Sequence, residues 1–217
     1  MTDSTVMNYF DRVAPSWDEH YARSRLFRAR YSTFEKAVSK YGTDGRRALD
    51  YGCGSGALTG ILQKAYEVVV ATDLSQGMLD ITRRKYAECP NVQVLGIDVV
   101  PSMQFDLVIC SSVVEYVDDP CKFMAALVGY LRPGAVLLMT FSNRFGPLQI
   151  LGRQLFFRFT RDPHTNFARN LHSRRSILDL VQRNQLECVE LSTPLGLPVF
   201  TKLGLGELHF LVARKTA

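Results

Sequence analysis

Short apolar runs alternate with amphipathic stretches along most of this chain. Ala48–Tyr51, Val68–Ala71, Val92–Leu95, Phe105–Cys110 and Ala135–Phe141 are dominated by aliphatic residues, the pattern of strands buried on both faces. Between them, Ala57–Lys64, Gln76–Ala87 and the stretch from Asp119 to Leu131 carry apolar residues at helical spacing. Asp119-Pro120 supplies a helix N-cap with proline in the first turn, and Arg132-Pro133-Gly134 a stop. Strand and helix in alternation predict parallel β-α-β units, hence an α/β fold with a doubly wound sheet and helices on both faces. Ser173–Asn184 predicts a further helix, and Leu186–Leu191 and Glu207–Ala213 the closing strands. Ahead of the first strand, residues 5–41 read as two helices bearing Trp17, Tyr21, Phe27, Tyr31 and Phe34, and Gly42 to Gly45 as a turn. No repeat or linker interrupts the pattern. One domain, 1–217, is expected, with 1–41 as a helical cap and 144–172 as an insert.

The sharpest chemical signal is Ala48-Leu49-Asp50-Tyr51-Gly52-Cys53-Gly54-Ser55-Gly56, which follows the first strand and opens a helix. Glycines there allow a tight turn and close approach of a ligand, and the helix beyond favours an anionic group. The second strand ends in Asp73, placed to accept hydrogen bonds from both hydroxyls of a ribose. Asp98 follows the third strand, so Asp50, Asp73 and Asp98 all point to one crevice at the carboxyl edge of the sheet. Gly52-x-Gly54-x-x-Ala57 also fits a dinucleotide fingerprint. Against that stand Asp50, which would face a pyrophosphate, the recurrence of glycine at Gly56, and a chain too short for a separate substrate domain.

Ala48–Gly56, taken with Asp73-Leu74-Ser75-Gln76-Gly77-Met78-Leu79, resembles the class I S-adenosylmethionine-dependent methyltransferases. The resemblance covers roughly residues 45–142, through Phe105–Val108, Glu115–Pro120 and Leu131–Gly134. Within the class it is most similar to the small-molecule branch that contains the ubiquinone-biosynthesis O-methyltransferases. It implies a Rossmann-like, seven-stranded, mostly parallel sheet with an antiparallel last strand, and S-adenosyl-L-methionine as cofactor. It also implies roles. The Gly52-Cys53-Gly54-Ser55-Gly56 backbone lies against the methionine part above Asp50. Asp73 holds the ribose, and Leu74 and Met78 pack beside the adenine. Asp98 and Val99 meet the adenine amino edge, and Ser111 lies near the sulfonium. An arginine of the cap, Arg28 or Arg30, reaches the cofactor; the resemblance does not choose between them.

Cys110–Val117 then falls where this family hands over the methyl group. An Asn/Asp-Pro-Pro-aromatic motif, used to methylate base amino groups, is missing. The ubiquinone-type enzymes carry a Glu-x-x-Glu-His metal site here. This chain has Ser112, Glu115 and Tyr116 at those positions, too few oxygen ligands for a hard divalent ion, so no metal is expected. His164, Tyr116 and Glu115 are the candidate catalytic groups, His164 first because it lies in the insert that the family uses near substrate. The function expected is methyl transfer to an oxygen, or second a nitrogen, of a small, partly apolar or anionic metabolite. The alternatives are an RNA methyltransferase and a catalytically silent cofactor-binding partner.

Composition sharpens the partner class. The formal charge is +5, but residues 144–175 hold seven arginines against a single acid, Asp162, so the rest of the chain is close to neutral. That argues against a broad nucleic-acid footprint and for an anionic acceptor met at one segment. Leu148, Leu151, Leu155 and Phe159 share a helical face with arginines mostly off it. Residues 144–161 are thus expected to form a lid over the acceptor pocket or a peripheral contact with an anionic membrane. Five widely spaced cysteines, no leader-like start at Met1–Thr5 and no long apolar run point to the cytoplasm.

Overall fold

Five of the apolar runs form the parallel part of one sheet in the computed structural model, which describes residues 4–42, 45–146, 168–195 and 206–216. These are β1 (Arg47–Tyr51), β2 (Val68–Asp73), β3 (Val92–Gly96), β4 (Phe105–Cys110) and β5 (Leu131–Ser142). With β6 (Leu186–Leu195) and β7 (Leu208–Lys215) they make a seven-stranded sheet in the order β3-β2-β1-β4-β5-β7-β6. β7 runs antiparallel to both β5 and β6. From β1 the chain winds outward to β3, then returns to place β4 on the other side of β1. This reversal opens a crevice at the carboxyl ends of β1 and β4, where ligands of open α/β sheets bind.

Alternate residues of each strand feed two cores. Phe34, Leu62, Val69, Leu107, Leu138 and Phe210 pack on one face; Leu49, Val70, Val108, Met124, Leu137 and Leu211 pack on the other. Burial of both faces explains why the strands read as continuous apolar runs. The helices between them are α4 (Thr59–Ala65), α5 (Gln76–Lys85) and α6 (Pro120–Tyr130). Asp119 Oδ1 accepts from the Cys121 and Lys122 amides at 2.9 and 3.1 Å, the expected cap.

Two expectations need correcting. The cap is not two helices. It is α1 (Ser4–Val13), a 3-10 turn (Ala14–Ser16), α2 (Asp18–Arg23) and α3 (Arg25–Tyr41). Pro15 lacks the amide that would continue α1, and Ser24 is extended, at φ −85° and ψ 125°. β5 also starts four residues before Ala135. Leu131 pairs with Phe105, the register shifts around Pro133-Gly134, and pairing resumes at Leu107 and Val136. The helix α7 (Arg174–Arg183) begins where expected, capped by the Ser173 hydroxyl. Residues 147–167, with most of the insert, and residues 43–44 of the turn lie outside the described residues.

α3 is anchored to the sheet by Phe34, which meets Phe210 of β7 edge-to-face at 5.1 Å; both are buried. Phe34→Ala is expected to lower the unfolding free energy by roughly 3–5 kcal/mol, read as a shifted urea midpoint at unchanged slope. A loss of less than about 1 kcal/mol would mean that this helix is not part of the cooperative core.

Candidate functional site

The loop after β1 is pinned to β2. The Gly52 and Cys53 amides both donate to the Thr72 carbonyl, at 2.8 and 2.9 Å. Gly52 has φ +78°, and a Cβ there would lie 2.3 Å from Val113 Cγ2, so any other residue would be strained and would push Val113 aside. Gly54, at φ +54°, is different: the nearest atom to a Cβ would be Trp17 Nε1 at 3.7 Å. A Cβ at Gly54 would thus meet Trp17 at ordinary van der Waals distance, so the left-handed backbone, not crowding, favours glycine here.

Asp73, at the end of β2, closes the other side. Its Oδ2 accepts from the Gly54 amide at 2.8 Å and its Oδ1 from the Ser75 amide at 2.9 Å. Burial pushes its pKa up, against these N–H bonds. The Leu74 amide also bonds it, so of the roughly four lone-pair sites of a carboxylate one remains for a ligand hydroxyl. Asp50 lies beneath the loop, 1% exposed, with Oδ2 accepting from the Thr59 hydroxyl at 2.6 Å. Burial raises its pKa to about 7; the Thr59 bond opposes the rise and nearby Asp73 adds to it.

The cap forms the roof. Asp11 Oδ1 accepts from the Ser75 hydroxyl at 2.6 Å and the Gly77 amide at 3.0 Å, fixing α1 to the start of α5. Phe10 meets Trp17 and Tyr116 edge-to-face, at 5.6 and 5.4 Å. Val6, Met7, Phe10 and Trp17 thus face Gly52, Gly54, Asp73, Leu74, Met78 and Ile97 across a crevice of about 120 Å³. Ser111, Ser112, Val113, Tyr116 and Val117 form its end wall after β4. Small-molecule sites usually begin near 300 Å³, so a nucleoside-sized ligand must move the cap's side chains to enter.

Of the residues expected from sequence, the crevice brings together Gly52, Gly54, Asp73, Leu74, Met78, Ser111 and Tyr116. Others stand elsewhere. Cys53 is buried with Asp50 below the loop, and the Gly56 carbonyl accepts from the Tyr86 hydroxyl at 2.7 Å. Asp98 and Val99 sit exposed on a 3-10 turn (Ile97–Val99), whose first residue, Ile97, walls the crevice instead. Glu115 is 2% exposed and does not line the crevice; its Oε1 accepts from the Ser142 amide and hydroxyl, each at 2.9 Å. Burial pushes its pKa up, and Arg30 is a cation that pulls it back. His164 lies outside the described residues. Among those described, no group of three or more His, Cys, Asp or Glu could hold a metal ion.

Sequence reasoning missed the cap's contribution: Val6, Met7 and Phe10 at the crevice, and Asp11 as its tie. It also left the cap arginine open. Arg30 is the inward one, with its Nε buried and unpartnered, its guanidinium 4.7 Å from the Phe27 ring centroid, and the Tyr21 hydroxyl beside it.

The family model described as "Methyltransferase domain" matches residues 19–191. Malonyl-[acyl-carrier protein] O-methyltransferase of Halalkalibacterium halodurans is 31% identical over 154 residues, which is 66% of this chain and 55% of that protein. A ubiquinone biosynthesis O-methyltransferase of Dinoroseobacter shibae is 29% identical over 162 residues, 65% of this chain and 64% of that one. The chain thus spans less than two thirds of the length of these curated relatives. Among solved structures, magnesium protoporphyrin IX methyltransferase of Synechocystis PCC 6803 with bound SAH superposes with a TM-score of 0.76 at 18% identity, covering 99% of this chain and 100% of that one. The N-methyltransferase NodS of Bradyrhizobium japonicum WM9, in complex with S-adenosyl-L-homocysteine, gives 0.74 at 14% identity, covering 98% and 99%. At such identities these two establish the fold.

Asp50 carries a pH signature. A carboxyl raised to about 7 in the folded state and near 3.9 when unfolded stabilises the protein below pH 4, and that contribution is lost as pH rises through 7. Thermal melts of ligand-free protein should therefore show the wild type losing stability against Asp50→Asn between pH 5 and pH 8. Parallel curves would contradict a buried, protonated Asp50.

Proposed function

The chain belongs to the methyltransferase-domain family, and on that premise we propose that it moves a methyl group from S-adenosyl-L-methionine to an oxygen of a small, partly apolar or anionic metabolite. One observation carries the cofactor: Asp73 ends β2 in the crevice wall, tied to the Gly54 and Ser75 amides and with acceptor capacity left for a ligand hydroxyl. An oxygen acceptor is supported by the two relatives above, both O-methyltransferases by name. An anionic group on it is supported by the seven arginines of residues 144–175.

The residues present fit this cofactor. Asp73 would hold a ribose hydroxyl, and Leu74, Met78 and Ile97 would flank the adenine. Gly54 would lie along the methionine end, Arg30 would take its carboxylate, and ionised Asp50 would put negative charge beneath its ammonium. When bound, S-adenosylmethionine supplies a methyl group on a cationic sulfur, already activated for in-line displacement. The chain's own contribution is then largely alignment and exclusion of water. Phe10, Trp17 and Tyr116 close the crevice, and Ser111, Ser112 and Tyr116 offer polar groups along its end wall. Tyr116 is the candidate base that reaches the crevice; Glu115 is locked on Ser142. His164 as base, and contact of residues 144–161 with an anionic membrane, concern parts of the chain outside the described residues. No helix among the described residues is long and apolar enough to cross a membrane.

Incubation with methyl-labelled S-adenosylmethionine and a panel of phenols, carboxylates and amines tests the reading. Label is expected on oxygen, with anionic acceptors preferred. Asp73→Ala should raise the cofactor KM roughly 10- to 100-fold through loss of its charge-assisted hydrogen bonds. Label on amines alone would overturn the oxygen assignment.

A further inference from the structure

The loop after β1 is also held from behind, by the end of α5. Thr82 Oγ1 donates to the Gly54 carbonyl at 2.8 Å, Lys85 Nζ to the Ser55 carbonyl at 2.7 Å, and the Tyr86 hydroxyl to the Gly56 carbonyl at 2.7 Å. Three successive carbonyls are thus taken by three side chains of one helix end. Thr82 and Tyr86 are bedded against the loop: a Cβ on Gly56 would lie 2.9 Å from each. A hydroxyl has one proton to donate, and theirs both go to the loop. An ammonium has three. Lys85 Nζ also donates to both carboxylate oxygens of Asp18, at 2.8 and 3.1 Å. Asp18 opens α2 and directly follows Trp17, the cap side chain that faces Gly54 in the crevice. One ammonium therefore joins the loop to the cap. The ion pair is partly exposed, its side chains at 34% and 50%, so it adds little to global stability. What it fixes is placement.

We propose that Lys85 is a positioning residue: by holding the Ser55 carbonyl and the Asp18 carboxylate at once, it keeps Trp17 in register over the stretch of loop that lies along the cofactor's amino-acid end. A ligand must move cap side chains to enter the crevice, and a charge-assisted junction returns α2 to one place afterwards. This rests on the methyltransferase reading above. Lys85 needs no contact with cofactor or acceptor to act in this way.

The test compares two ligands by calorimetry: S-adenosylhomocysteine, and 5′-methylthioadenosine, which lacks the amino-acid end. Lys85→Met should weaken S-adenosylhomocysteine about tenfold and leave 5′-methylthioadenosine unchanged, with the urea midpoint close to that of the wild type. Lys85→Arg keeps the charge and should recover part of the preference for S-adenosylhomocysteine. Asp18→Ala should lower the same preference, and combined with Lys85→Met it should add nothing; at a half-exposed position it also carries the test where Lys85→Met does not fold. An unaltered preference in these variants, equal weakening of both ligands, or additive losses in the double variant would each overturn the proposal. A wild type that binds both ligands equally would overturn it while sparing the nucleoside site at Asp73. Binding of neither would overturn the cofactor reading and this proposal with it.

Discussion

The Asp73 carboxylate is the tie on which the site depends. One oxygen holds the Gly54 amide of the loop after β1, and the other holds the Ser75 amide at the start of α5. Two strand ends and a helix start are therefore fixed by a single side chain. The cap fastens to the same place, because Asp11 bonds the Ser75 hydroxyl and the Gly77 amide. Floor, wall and roof of the crevice thus meet within a few residues of Asp73. A ligand that engages this carboxylate acts on all three.

Electrostatics explain what such a crevice selects. Asp50 and Glu115 are buried and Asp73 is half-buried, and burial pushes the pKa of each up. Concentrated buried carboxylates are costly to ionise alone and are relieved by a cation. A ligand bearing an ammonium and a sulfonium would supply that relief, and in the proposed complex Arg30 would answer the carboxylate of its amino-acid end. The arrangement is the inverse of a phosphate site, and it agrees with Asp50 counting against a dinucleotide in the sequence.

Much of the fold was legible because burial on both faces writes itself into the chain as unbroken apolar runs, and because Asp119-Pro120, Ser173 and the glycines mark turns by local chemistry. The site was legible where one residue type has one reason to be present, as at Gly52, Gly54 and Asp73. It was not where one residue type serves two ends. Phe10 and Trp17 are ordinary packing aromatics until the break at Pro15 folds α1 back over the crevice. The turn after β3 is read one way from sequence, with Asp98 and Val99 inward, whereas its 3-10 geometry presents Ile97.

A crystal structure of the protein with S-adenosylhomocysteine tests the central assignment most directly. A ribose hydroxyl should lie within hydrogen-bond reach of Asp73, with the ligand carboxylate on Arg30 and the adenine between Leu74, Met78 and Ile97. A nucleoside seated away from Asp73, or an amino-acid end turned away from Arg30, would contradict it.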